Sequence, residues 1–334
     1  MQILLDKNKK FYKANLHCHS TYSDGKLTVE ELKRRFMERG YSIVAFTDHE
    51  HVVDNSRLTD ENFLAITACE LAIKEFPKES ATKNMNMRVC HLNFYALDPH
   101  NNVTPCYSSV YDHFGNPEAL KDLIHYDGEY ERVYSAEGIN EMIQMGKDAG
   151  FIVSYNHPRW SLESAADYLN YDGMFAVEIY NHAVVTEGGT DYFPQAFEDL
   201  LRAGKKVFCT MTDDCHAHDR GIPDADMFGG FVMINAEKLE YDEIMNCLQK
   251  GDFYASNGPE ILSLVRDGNK VIVETSEAMQ IAYTTRGRRA HAVNATADAP
   301  VCRAEFEVRE ADEYFRISVT DFSGRHAHTQ AYEV

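Results

Sequence analysis

The 334-residue chain has no window approaching the run of about 18 apolar residues that a membrane helix needs, so no membrane passage is expected. Its start, MQILLDKNKK, lacks the basic-then-apolar layout of a signal peptide, and a cytoplasmic location is the expectation. Basic residues are scarce: 33 Lys and Arg face 53 Asp and Glu, a net charge of −20. Non-specific nucleic-acid binding depends on cations that neutralise phosphates, so no nucleic-acid partner is expected. A small anionic substrate stays open, because metals or a few arginines can invert the sign locally. Paired Cys-x-x-Cys spacings are missing too. The eight cysteines (Cys18, Cys69, Cys90, Cys106, Cys209, Cys215, Cys247 and Cys302) are scattered and read as buried apolar-like residues, not as structural zinc ligands or disulfides.

What is present is 44% apolar residues over a length that exceeds one ordinary core, which predicts a large domain plus a smaller one. Strands are predicted over 14–19, 41–47, 63–69, 89–95, 151–155, 174–180, 207–212 and 231–234. Helices are predicted over 28–39, where Thr28 and Glu31 make a capping box and Gly40 a stop, and over 136–149, 195–203 and 241–250. This alternation indicates an α/β fold with a parallel sheet that closes into a barrel. Residues 75–87 read as a polar loop. Residues 98–134, with a helix from Pro117 capped by Asn116 to about Tyr126, read as an aromatic lid insertion. Beyond Gly258 consecutive short strands, starting with a hairpin at Asp267-Gly268, predict a small antiparallel β-sandwich-like domain over 259–334.

Fifteen histidines are the pointed feature, twelve of them before residue 219. His17 and His19 close the first strand, and Asp48 and His49 follow the second. Glu70 ends the third, His91 lies within the fourth, His157 follows 151–155, and Asp214 and His216 follow 207–212. In parallel barrels the C-terminal strand ends form the active-site face, so residues distant in sequence converge there. Imidazole and carboxylate suit zinc, manganese or iron. His17-Cys18-His19 puts two imidazoles on one strand face with the cysteine turned away, and Asp214-Cys215-His216 does the same if strand geometry persists that far. A lone His-x-His is usually an ordinary pair of histidines. Six strand-end histidines joined by Asp24, Glu70 and Asp214 are not explained by packing.

HCHSTYSDG, TDH, CEL, CHLNFYAL, YNHP and TDDCH resemble, in order and spacing, the motifs of the PHP (polymerase and histidinol phosphatase) superfamily across about residues 12–258. The resemblance implies a distorted (β/α)7 barrel with two or three divalent metals, zinc, manganese or iron. His17, His19, Glu70 and Asp214 would hold the first metal. Glu70 would bridge to the second, completed by His91 and His157, and Asp24, His49 and His216 would hold the third. HPRW, VEIYN and GDFYASNGPEI, with a small β-domain behind them, are similar to the two-domain branch related to carbamate hydrolases, whose members are largely predicted phosphoesterases.

The function expected is a metal-dependent phosphoesterase acting on a small phosphorylated molecule, with a metal-bridging hydroxide as nucleophile. Glu70 and Asp214 belong to the reacting centre. Arg159 offers a planar fork to a phosphate, Arg220 is a second such arginine, and His182 is placed to act as general acid or to bind substrate. Asp48 and Asp213 are expected to orient ligand imidazoles, and His51 and His218 to stand behind the ligands. One alternative is a metal-dependent carbamate, amide or ester hydrolase, since the same nucleophile attacks carbonyls. Another, outside enzymology, is a non-catalytic metal-stabilised binding module.

Overall fold

Two-sided burial of short apolar runs organises most of the chain. All four residues of Ile43–Phe46 and all eight of Val89–Ala96 are buried, as strands covered on both faces require. The computed structural model describes residues 1–76, 86–115, 120–218, 221–222 and 224–334. The helix expected at Pro117 begins outside those residues, and so does most of the loop expected at 75–87.

The first twelve strands are β1 (Gln2–Leu5), β2 (Lys10–Asn15), β3 (Ile43–Phe46), β4 (Leu64–Lys74), β5 (Val89–Ala96), β6 (Val103–Thr104), β7 (His125–Tyr126), β8 (Phe151–Tyr155), β9 (Ala176–Asn181), β10 (Phe208–Thr212), β11 (Phe231–Ala236) and β12 (Phe253–Ser256). Six α-helices occur among the described residues: α1 (Val29–Glu38), α2 (Ala136–Asp148), α3 (Ala165–Tyr168), α4 (His182–Thr186), α5 (Pro194–Arg202) and α6 (Tyr241–Lys250). Thr28 caps α1 by accepting from the Glu31 amide, and Ser135 caps α2 by accepting from the Gly138 amide. The buried stripe of α1 (Val29, Leu32, Phe36) packs with Val44 and Phe46 of β3, while Ile139, Met142 and Ile143 of α2 join the core with Phe94 and Val153.

The sheet runs β10-β9-β8-β5-β4-β3-β2-β11-β12 and continues into later strands. It is mixed, not parallel throughout. β2, β3 and β4 are parallel, as are β8, β9 and β10, but β5 is antiparallel to both β4 and β8. The reason lies in the length of β4, which passes the expected end at Cys69 because Leu71 and Ile73 keep the apolar alternation going. Its ladder with β5 reaches Lys74↔Val89, and the Glu75 amide then donates to the Arg88 carbonyl at 3.1 Å. The chain therefore reverses between these strands. Among the described residues no ladder joins β10 back to β2, so the expected closed barrel is not seen; one parallel bridge, Cys18↔Cys215, links them beyond their ends.

The last eight strands are β13 (Ile261–Asp267), β14 (Lys270–Ala278), β15 (Gln280–Thr285), β16 (Ala290–Asn294), β17 (Val301–Glu307), β18 (Tyr314–Thr320), β19 (His326–Thr329) and β20 (Tyr332–Glu333). β1, β13, β14 and β17 form one antiparallel sheet, and β19, β18, β15 and β16 extend the large one through β12. Gly268 turns the β13–β14 hairpin at φ +60°, a left-handed angle that glycine adopts without strain. A second core, including Leu264, Val273, Ile281, Tyr283, Phe306 and Phe315, fills the space between the sheets, and Leu5 of β1 joins it. No helix of the described residues is long and apolar enough to cross a membrane.

Candidate metal centre

His17 and His19 extend beyond β2 and are fully buried. Between them Cys18 turns into the apolar cluster that holds Phe36, Phe46 and Cys215. The Asp214-Cys215-His216 segment reaches the same place by a different route. β10 ends at Thr212, and Asp214 has a left-handed backbone (φ +54°), so strand geometry does not persist. His157 is also left-handed, at φ +26°. Non-glycine residues held there carry strain that surrounding structure must overcome, and such positions cluster at functional sites.

Glu70, inside β4 rather than at its end, is the hub. Its Oε1 lies 3.2 Å from His17 Nε2, 3.1 Å from His91 Nδ1 and 3.3 Å from His157 Nε2. Its Oε2 lies 3.2 Å from His49 Nδ1 and 3.5 Å from His19 Nε2. Asp214 Oδ1 stands 3.1 Å from His17 Nε2 and 3.0 Å from His19 Nε2. Asp24 faces His216 Nε2 at 3.4 Å and His49 Nε2 at 3.7 Å. Gly25 lets that loop lie close, since a Cβ there would come within 2.3 Å of the His19 carbonyl oxygen.

Among the described residues five groups of ligand-capable atoms each fall within 4.8 Å, and three of them hold the predicted positions: His17, His19, Glu70 and Asp214; Glu70, His91 and His157; and His19, Asp24, His49 and His216. Whether these residues fit divalent metals can be judged from their own bonding. His17 Nε2, His19 Nε2, His49 Nδ1 and Asp214 Oδ1 are buried polar atoms without a hydrogen-bond partner. Unsatisfied buried atoms are costly, and here they converge, which suits a cation in their midst. Burial pushes the Glu70 carboxyl up, but the imidazoles of His91, His17 and His157 outweigh it and hold it well below the usual range. Burial and the neighbouring His19 push His49 down to about 3.

The clustered side chains are held from behind. Glu178 of β9 accepts from His17 Nδ1 (3.0 Å), the His157 amide (2.9 Å) and Asn181 Nδ2 (3.0 Å), and also from the Thr212 hydroxyl. Asn181 Nδ2 also donates to Asp214 Oδ2 at 2.9 Å, and Asn156 Nδ2 to Glu70 Oε1 at 2.8 Å. Glu178 was not singled out from the sequence, although a carboxylate inside the apolar run AVEIY was a signal for it. Asp48 and Asp213 do not orient imidazoles, as expected of them. Asp48 binds the Ser20 and Ser23 amides (2.7 and 3.1 Å), and Asp213 accepts the Phe228, Gly229 and Gly230 amides at 2.8 Å each, so both pin loops. His51 pairs with Asp112 at 3.0 Å, and His218 lies 3.9 Å from Asp226.

A cavity of about 330 Å³ opens above the cluster, walled by His91, Tyr111, Phe114, Trp160 and Lys74 among others. The aromatic 98–134 segment supplies Phe114, stacked on His49 at 4.4 Å. Neither Arg159 nor His182 is part of that wall. Arg159 lies within the turn that follows His157 and is exposed, its guanidinium 5.5 Å from the Phe193 ring. His182 starts α4, binds the Tyr180 hydroxyl through Nδ1 at 2.8 Å and packs against Gly229, where a Cβ would collide with its ring. Arg220 lies outside the described residues.

The family model described as PHP domain matches residues 15–254. Among the solved structures that resemble the chain are the following two. One is a two-domain protein containing a predicted PHP-like metal-dependent phosphoesterase from Bacteroides vulgatus, with 14% identity and a TM-score of 0.44, covering 99% of this chain and 96% of that one. The other is an amidohydrolase from Chromobacterium violaceum, with 15% identity and a TM-score of 0.36, covering 63% and 89%. No curated protein matches.

Proposed function

The chain belongs to the PHP domain family, and from that premise we propose that it is a metal-dependent phosphoesterase acting on a small phosphorylated molecule. The observation that carries this reading is the convergence of nine ligand-capable residues, with Glu70 shared between two groups. His17, His19, Glu70 and Asp214 would hold one divalent metal, Glu70, His91 and His157 a second, and Asp24, His49 and His216 a third, drawn from zinc, manganese or iron. Such ions would supply a nucleophile from water at neutral pH and an electrophile for a phosphoryl oxygen.

The chain's own residues do the positioning. Glu178 holds His17 with Nε2 toward the centre, and Asn181 and Asn156 fix the carboxylates of Asp214 and Glu70. The cavity suits a compact substrate, and its aromatic wall would exclude water from the leaving part. In the same proposal β2, β3, β4, β5, β8, β9 and β10 are the seven strands of a distorted barrel, with the Cys18↔Cys215 bridge as its seam. The hydrolase unit would end near Gly258, with a small β-domain after it.

A substrate panel tests the reading: metal-loaded protein is expected to hydrolyse aryl phosphate in preference to aryl carbamate or aryl ester. Carbamate turnover without phosphate turnover would replace phosphoester by carbonyl chemistry at the same centre.

A further inference from the structure

Strand β4 carries the site beyond its metal ligands. Side chains alternate along a strand, so Glu70, Ala72 and Lys74 share one face while Leu71 and Ile73 enter the core. Across the ladder Glu70 pairs with Asn93, Ala72 with His91 and Lys74 with Val89. One wall therefore climbs from Glu70 and His91 to Lys74 and Val89, and all four line the cavity. At ~3.3 Å per residue, Lys74 sits roughly 13 Å along the strand from Glu70.

The lining also carries Met87, Tyr111, Phe114 and Trp160, an apolar and largely aromatic surface interrupted by Glu50 and Glu187. Lys74 is the only lysine or arginine among the described residues of the wall. Among the described residues it has no salt-bridge partner, and its ammonium faces the Tyr111 ring at 5.6 Å instead. The nearby Glu50 carboxylate acts on Lys74 only through space, because it is bound directly by Arg132, so among the described residues the half-buried ammonium has no direct carboxylate contact. Burial holds it below its ordinary basicity, a cost that a bound anion would relieve.

Resting on the phosphoesterase reading, we propose that Lys74 anchors a second anionic group, so that the substrate is a compact phosphoester whose flat apolar leaving part ends in a carboxylate or a further phosphate. The phosphoester would sit at the Glu70 end, the flat part against Phe114 and Trp160, and the second anion at Lys74.

Calorimetric titration of the metal-loaded protein with phenylphosphonate, 4-carboxyphenylphosphonate and benzene-1,4-diphosphonate, none of them hydrolysable, reads this directly. At least one of the doubly anionic ligands is expected to bind about tenfold or more tightly than phenylphosphonate, the order of one charge-assisted hydrogen bond. Which of them gains tells carboxylate from phosphate. Lys74→Met should erase the advantage and Lys74→Arg keep it, with Lys74→Gln as the second neutral variant if Met perturbs folding. Equal affinity of all three ligands, or an advantage that survives both neutral variants, would overturn the proposal. Absence of any aryl phosphate turnover would instead remove the phosphoesterase reading, and this proposal with it.

Discussion

Nδ1 of His17 lies 3.0 Å from Oε1 of Glu178, a carboxylate buried within β9. That contact keeps a ring proton on Nδ1 and turns Nε2, 3.1 Å from Asp214 and 3.2 Å from Glu70, toward the cluster, where a bound cation would take its lone pair. Glu178→Gln is therefore expected to lower metal affinity by about 10- to 100-fold, the usual range for losing such a partner. Competition with a chromogenic chelator measures it. An unchanged affinity would remove this role from Glu178.

The shared ligands should be the most sensitive positions. Asp214→Asn and His157→Ala are each expected to lose bound metal and aryl phosphate turnover together, while the fold persists by circular dichroism. Elemental analysis beside the assay checks this. Full metal content with lost turnover would confine these residues to a step after metal binding.

A different prediction concerns stability near the cavity. Arg132 and Glu50 form a buried ion pair, with Nη2 2.6 Å from Oε2, and Arg132 Nη1 also donates to the Ala72 carbonyl at 2.8 Å. Removing one partner leaves an uncompensated buried charge, so Arg132→Met should destabilise by about 3–5 kcal/mol in urea unfolding. Adding Glu50→Gln should recover part of that loss, because the pair and not each residue carries the effect.

A pH dependence follows from Glu163, which is buried and accepts the hydroxyls of Tyr134 (2.7 Å), Tyr155 (2.6 Å) and Tyr171 (2.5 Å). Burial pushes its carboxyl up to about 7 despite those donors, from 4.5 in the unfolded chain. A raised carboxyl pKa favours the folded state below pH 4.5, and that contribution is lost as pH rises through about 7. Relative to Glu163→Gln, the natural protein should lose on the order of 3 kcal/mol between about pH 5 and pH 8. A constant difference across that window would show that Glu163 does not titrate there.

Much of the centre was legible because metal ligation uses few residue types at strand ends. The nine predicted positions could be named from HCHSTYSD, TDH, CEL, CHL, YNHP and DDCH, and the structure brings their side chains together. Helix boundaries were similarly open to reading, since Thr28, Gly40 and Gly150 mark them locally. Strand direction was not, because it depends on where β4 ends. The continuing alternation of Leu71 and Ile73 extends it, and β5 then runs back antiparallel. The supporting residues were harder still. Asp48 and Asp213 bind amides instead of imidazoles, and nothing local in sequence distinguishes those partners. Arg159 and His182 were chosen by proximity in the chain to the predicted ligands; Arg159 is exposed beside Phe193, and His182 opens α4.

The central claim is that the clustered imidazoles and carboxylates act through bound metal. Turnover of 4-nitrophenyl phosphate, measured on chelator-stripped protein and again after zinc, manganese or iron(II) is restored, tests it most directly. The account predicts no turnover when stripped and recovery with at least one ion, at a stoichiometry of two or three per chain. Undiminished turnover by stripped protein whose metal content is shown to be negligible would contradict it.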